Sequence, residues 1–282
     1  SILTGIYFVI EMGIGLYTGS VAVISDAFHT FSAVGGVVLA IFAGRLAKRP
    51  AGPEKTFGYL RAEIIGSLLN GFFLLGMAFL VLWMGYNRLR NPIDLPPLPM
   101  LLSAGGGLVT ELISIYYLYK GEEMSLNVRG AFWHILQTFV GSLIIIVVAL
   151  VIRFTGFLEI DPLLGMLFGL VLIYASYGII RDSLNVLMEM VPDDIDMEEI
   201  REELEGIEGV VDAHHVHAWT LTSGVHIFSG HLRVDDFERS QDILEEAHEV
   251  LKKEYSFYFS TLQLEKERVA SSEAEDIDIT LQ

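Results

Sequence analysis

The run GAFWHILQTFVGSLIIIVVALVI, residues 130–152, decides the architecture of this chain. Its one ionisable side chain is His134, set among apolar residues with Gln137, Thr138 and Ser142. A helix of about 20 mostly apolar residues crosses a hydrocarbon core of about 30 Å, because within lipid a backbone must satisfy its own polar groups. Five further stretches read the same way, at 2–17, 21–44, 64–83, 100–119 and 162–180. The second reaches spanning length only with Asp26 and His29 inside it. The composition agrees: 52% of residues are hydrophobic and 19% charged, against about 25% charged in a typical soluble domain. Mean hydropathy is +0.50. The sequence therefore predicts a multi-pass α-helical membrane protein with a six-helix transmembrane bundle.

Charge divides the chain unevenly. Residues 1–189 hold 12 acidic and 11 basic side chains, so the remaining 24 acids and 7 bases, a net of −17 out of −18, fall in 190–282. A near-neutral apolar part followed by an acidic polar part reads as a membrane domain, 1–189, joined to a water-soluble one. The loops after the second, fourth and sixth spans carry Arg45, Lys48, Arg49, Lys55, Arg61, Lys120, Arg129 and Arg181. The opposite side has only Arg88, Arg90 and Arg153. The positive-inside rule places the former side, and the polar domain, in the cytoplasm. No basic face exists to neutralise phosphates, which excludes nucleic acid as a partner. The absence of cysteine excludes disulfides and thiolate metal sites. The chain opens on Ser1 rather than Met, so further N-terminal sequence is expected.

The polar part has its own pattern. Asp193 to Asp196 can cap a helix over 197–204. Segments 210–219 and 225–234 alternate apolar and polar residues around Ser223-Gly224, a hairpin signal. Residues 239–255 are helical in period, with Ile243, Ala247 and Leu251 on one stripe, and 258–265 reads as a third strand. Helix, strand, strand, helix, strand describes a small α+β domain over 190–265. The acidic remainder, 266–282, is expected to be disordered.

Ionisable residues at membrane depth are costly and mark ion pathways. Here they are Glu11, Asp26, His29, Glu111 and His134. Asp26 and His29 share a helical face, as do His134 and Gln137. Two imidazoles from separate helices facing a common axis would form the core of a tetrahedral metal site. Neutral imidazole suits zinc, copper, iron or nickel, while magnesium and calcium prefer oxygen. The competing reading makes each a structural hydrogen-bonding group between helices. Metal binding requires deprotonated imidazole and so releases protons, and imidazole titrates between about pH 5 and 8. That chemistry suits exchange of a metal for protons. No nucleophile, catalytic carboxylate pair or cofactor fingerprint points to an enzyme.

Several blocks resemble the cation diffusion facilitator family, the cation efflux or zinc-transporter-like proteins. They are GSVAVISDAFH at 19–29, TFGYLRAE at 56–63, NVRGAFWH at 127–134, HHVHAWTLTSG at 214–224 and STLQLE at 260–265. The resemblance covers 1 to about 265. It implies six spans, a cytoplasmic ferredoxin-like or metallochaperone-like domain, a homodimer in the cell (plasma or inner) membrane, and zinc export in exchange for protons. It also exposes departures. The family's second and fifth helices each carry a metal-binding residue with Asp four positions on. Here the first members are His29 and His134, but the Asp positions hold Ala33 and Thr138. Thr110 stands where an Asn is common. Asp26, Gln137 and Glu111 are the replacement ligands in view, while Glu11 matches a helix-packing position.

In the polar domain the resemblance makes His214 and His231 candidate metal ligands, with Glu265 a third. Phe257-Tyr258-Phe259 stands where relatives have His. Strand alternation predicts His215 and His217 on one face and His214 on the other. His217 and Trp219 read as strand-packing residues and His226 as exposed. Two alternatives remain open beside zinc export. One is a non-transporting, metal-sensing or partner subunit. The other is a transporter of altered specificity, such as for manganese.

Overall fold

The computed structural model describes residues 2–119 and 126–267; the side chains of 2–3, 32–34, 36–38, 40, 117–119 and 126–137 lie outside that description. The acidic segment expected to be disordered, beyond residue 267, therefore also lies outside the described residues. The chain forms two compact units, one of residues 1–45 and 65–181, the other of 46–64 and 182–282.

The first unit is helical. Its helices are α1 (Ile2–Thr18), α2 (Val21–Ala47), α3 (Ala62–Arg90), α4 (Pro97–Tyr119), α5 (Leu126–Thr155) and α6 (Ile160–Leu187). Each of the six apolar runs is a helix, and most extend past the run, as α3 does through Arg88 and Arg90. At that end Arg90 lies over the Tyr86 ring. Among the described residues four helices are long and apolar enough to cross a membrane, and a shorter apolar helix covers Val21–Phe31. Leu69, Phe72, Phe79, Trp83, Leu102, Leu167 and Tyr174 lie on the outer surface, an apolar exposure that water would not tolerate but lipid does.

Inside, α4 packs along α5 and α1 along α4. Ala22 and Val23 meet Met100, Ala104, Ile145, Val148 and Ala149 in one core cluster; Leu74, Ala78 and Leu172 form another. Small residues let the helices close up. Gly165 of α6 sits against the backbone of Val21 and Ala22, where a Cβ would come within 2.9 Å of the Ala22 nitrogen. Of the glycines at 105, 106 and 107, Gly107 is the one in tight contact. Gly19 links α1 to α2 with φ +70°, and its carbonyl accepts a hydrogen bond from Arg88 at 2.8 Å.

The start of α2 is capped from another helix. The buried Asp161 carboxylate accepts hydrogen bonds from the Ser20 hydroxyl, from the Val21 N–H at 2.7 Å and from the Ala22 N–H at 3.3 Å. These satisfy backbone donors that a helix N-terminus leaves open, and the carboxylate charge complements the helix dipole.

The second unit contains α7 (Met197–Glu205), β1 (Val210–Thr222), β2 (Val225–Val234), α8 (Ser240–Lys253) and β3 (Phe257–Glu265), with a 3-10 turn before α8. Asp196 caps α7 by accepting from the N–H groups of Glu198 and Glu199. The sheet order is β1-β2-β3, with β1 antiparallel and β3 parallel to β2. Ser223-Gly224 makes the hairpin turn, Gly224 adopting φ +71°. Ile200, Leu204, Ile243, Ala247 and Leu251 from the two helices bury with Ala213, Val216, Phe228, Leu232 and Phe257 of the sheet. This is the expected α+β module. Within the same unit, Glu63 accepts hydrogen bonds from Thr222 and Ser223, and Arg61 pairs with Glu189 at 2.5 Å.

Replacing Asp161 with Ala removes three hydrogen bonds and strands buried donors, so it should lower the stability of the helical unit by about 2 kcal/mol. Thermal unfolding of the full chain in detergent reads this directly. A D161A chain as stable as the parent would show that the cap carries no energetic weight.

Candidate functional site

The second unit assembles an imidazole cluster at a fault in its sheet. In the β1–β2 register His214 pairs with His231 and His217 with Ser229, so His215 and Val216 together oppose Gly230. Two residues against one is a β-bulge. His215 absorbs it with φ +51°, a left-handed conformation unusual for a non-glycine residue. The bulge overturns the alternation expected from the sequence, because it turns His215 toward His214 and His231 rather than away. The three rings lie 5.1–5.5 Å apart between centroids. Each can offer a nitrogen within 4.8 Å of the others.

Carboxylates frame the cluster. The buried Glu265, at the end of β3, reaches His231 Nδ1 at 2.8 Å and His214 Nε2 at 3.3 Å. Asp212 holds His214 Nδ1 at 2.9 Å and Arg233 at 3.3 Å. His214, His231 and Glu265 thus come together, and His215 joins them. A carboxylate on one ring nitrogen fixes the ring and raises the basicity of the other, the usual outer support of a metal-ligating histidine. Three imidazoles and a carboxylate are a donor set suited to a tetrahedral transition-metal ion. Two neighbours differ from expectation. His217 is exposed rather than packed, and His226 is held by Thr220 at 3.0 Å.

In the helical unit the candidates lie on α2, α4 and α5. The half-buried His29 ring meets Phe168 edge-on, with centroids 5.7 Å apart. His134 and Gln137 belong to α5, but their side chains lie outside the described residues, as does that of Ala33. Thr110 donates to the Gly107 carbonyl of its own helix at 2.8 Å. Asp26 and Glu111 are buried, together with Glu11. Glu11 accepts from Tyr7 at 3.0 Å and from Thr30 at 3.4 Å, and Glu111 accepts from Ser142 at 3.0 Å. Glu11 is therefore a member of a polar cluster and not simply a packing residue.

A polytopic helical unit with buried acids, joined to an α+β unit carrying a histidine cluster, defines a membrane protein built to handle cations. Comparison with known proteins supplies the family. Residues 1–188 match the cation efflux transmembrane domain and residues 192–267 the cation efflux protein cytoplasmic domain, so the chain belongs to the cation diffusion facilitator family of transporters and is not an enzyme. It is 35% identical over 264 residues to the cation efflux system protein CzcD of Alcaligenes sp., covering 93% of this chain and 84% of that protein. It is 34% identical over 253 residues to a cadmium, cobalt and zinc/H(+)-K(+) antiporter of Bacillus subtilis, covering 89% and 80%. To the zinc transporter ZitB of Escherichia coli it is 29% identical over 265 residues, covering 93% and 84%. A solved structure, the metal-bound C-terminal domain of the CzcD transporter, aligns with 25% of this chain and 99% of its own at 26% identity and a TM-score of 0.24.

The left-handed His215 gives a local test. H215G removes the cost of that conformation, about 1 kcal/mol, and should raise the resistance of the α+β unit to denaturant, whereas the β-branched H215V should lower it. The two variants are compared with the parent by unfolding of the full chain. If H215V matches the parent, the bulge is not strained.

Proposed function

We propose that this chain exports a divalent transition-metal cation, zinc, from the cytoplasm in exchange for protons. The observation that carries the reading is the match of residues 1–188 to a cation efflux membrane domain whose apolar helices enclose buried ionisable groups. On this reading residues 1–189 are the membrane domain and 190–265 a cytoplasmic regulatory and dimerisation domain, in a homodimer of the cell membrane. His29 on α2 and His134 on α5 hold the transported ion, with Asp26, Gln137 and Glu111 as the nearby polar groups that stand in for anionic ligands. The names of the CzcD, ZitB and antiporter relatives support zinc and proton exchange.

The mechanism follows from the ligands. Zinc binds only the neutral imidazole, so loading from a near-neutral cytoplasm displaces protons, and protonation on the far side ejects the metal. Ala33 and Thr138 at the family's usual Asp positions leave the ion facing fewer anions, which weakens binding and eases release. In the cytoplasmic domain His214, His215, His231 and Glu265 bind zinc as a sensor of internal metal.

That tail cluster, together with the loss of both usual Asp residues at Ala33 and Thr138, also favours a second reading, a metal-sensing subunit that carries no flux. Purified chain in proteoliposomes, with zinc indicator on the receiving side and a pH gradient, separates the two. Export predicts gradient-dependent zinc movement that falls at least tenfold when His29 and His134 are both replaced by Ala. Zinc binding without flux would establish the sensor reading, and flux indifferent to H29A/H134A would remove the imidazole pair from the pathway.

A further inference from the structure

The connection from α2 to α3 is the one strongly basic stretch of an acidic chain. Residues 45–61, RLAKRPAGPEKTFGYLR, hold five bases and one acid, against a net charge of −18 overall. Arg61 pairs with Glu189. Arg45, Lys48, Arg49 and Lys55 are exposed, and among the described residues none of these four forms an ion pair.

The fold of the loop gathers two of them. Gly52 and Lys55 exchange backbone hydrogen bonds at 3.1 and 3.0 Å across Pro53 and Glu54, a tight turn whose second residue is favoured as proline. The Gly58 N–H donates to the Lys55 carbonyl at 2.8 Å. Gly58 has φ +64°, and a Cβ there would lie 3.2 Å from the Arg49 carbonyl oxygen. Glycine thus lets the chain close on itself at this point. Closure brings both bases to one ring: Lys55 Nζ lies 4.1 Å and the Arg49 guanidinium carbon 5.9 Å from the Tyr59 centroid. An aromatic face attracts a cation but brings no net charge. Both cations are therefore positioned and left without neutralisation. Phe57, 50% exposed, lies in the same loop and meets Phe259 edge-on with centroids 6.3 Å apart.

We infer that Arg49 and Lys55, with Lys48 beside them in sequence, bind the phosphate of an anionic phospholipid headgroup. The loop joins two helices of the cation efflux transmembrane domain, and α3, which starts at Ala62, is long and apolar enough to cross a membrane. Bases next to the end of a spanning helix act at headgroup level, and an exposed aromatic ring among them suits the boundary with the acyl chains. A soluble polyanion is the poorer occupant. Two or three cations meet the demand of one headgroup but not of an extended phosphate chain, and residues 190–282, with 24 acids against 7 bases, repel free anions from the water. The inference rests on the membrane placement of residues 1–188 and not on which ion is exported.

The purified full chain in detergent is titrated with dioleoyl phosphatidylglycerol and followed by native mass spectrometry. Dioleoyl phosphatidylcholine, with the same acyl chains and no net charge, is the control. The first phosphatidylglycerol should bind at least tenfold tighter than the first phosphatidylcholine, and the preference should shrink as salt rises. R49A/K55A should remove it, at roughly fivefold for each base lost, while R49K/K55R, which preserves both charges, should retain it. Unfolding of R49A/K55A without added lipid should match the parent, which guards against misfolding. R153A, at an exposed base outside the loop, should change nothing, and millimolar glycerol 3-phosphate should not compete. The inference is overturned if the two lipids bind alike, if R49A/K55A keeps the preference, if R153A abolishes it equally, or if glycerol 3-phosphate displaces the lipid. Zinc flux without any lipid preference would defeat this site alone; the preference without zinc flux would defeat the export reading alone.

Discussion

A carboxylate buried among apolar helices must be answered by something. That constraint organises the helical unit. Asp161 is answered in full, by a hydroxyl and two backbone N–H groups at the start of α2, and so acts as a fastening between α6 and α2. Asp26 and Glu111 are as deeply buried, yet each keeps an oxygen with no hydrogen-bond partner among the described residues. Equal burial thus comes with unequal satisfaction. Small residues make room around them: Gly141 and Gly107 are where side chains would otherwise fill the space the oxygens occupy.

The second unit solves a related problem with different chemistry. Its sheet is regular except at the point where His215 and Val216 oppose Gly230, and there three imidazoles gather beside the buried Glu265. A bulge re-aims a side chain that simple alternation would send to the other face. Three nitrogen donors thus gather at one point of the α+β unit.

Much of this was legible in the sequence. Apolar runs of spanning length announce α1 to α6, and several helices run past the apolar run, as α3 does through Arg88 and Arg90. Alternation around Ser223-Gly224 and the acids before Met197 announce the hairpin and α7. What could not be read was spatial. Nothing in the period of β1 reveals a two-for-one pairing, so simple alternation puts His215 on the wrong face. Glu11 matches a family packing position, and its bond from Thr30 depends on how α1 crosses α2. Asp161 carries no local signal at all, since its partners are some 140 residues away in sequence. His134 and Gln137 are placed by sequence on α5.

The account rests on the proposition that imidazoles from two spans hold one metal ion within the membrane. Anomalous scattering at the zinc edge, from crystals of the zinc-loaded full chain, locates that ion directly. The account requires a peak at about 2.0–2.1 Å, the ordinary zinc–imidazole distance, from a ring nitrogen of both His29 and His134. Zinc density confined to the tail histidines, with none between α2 and α5, would contradict it.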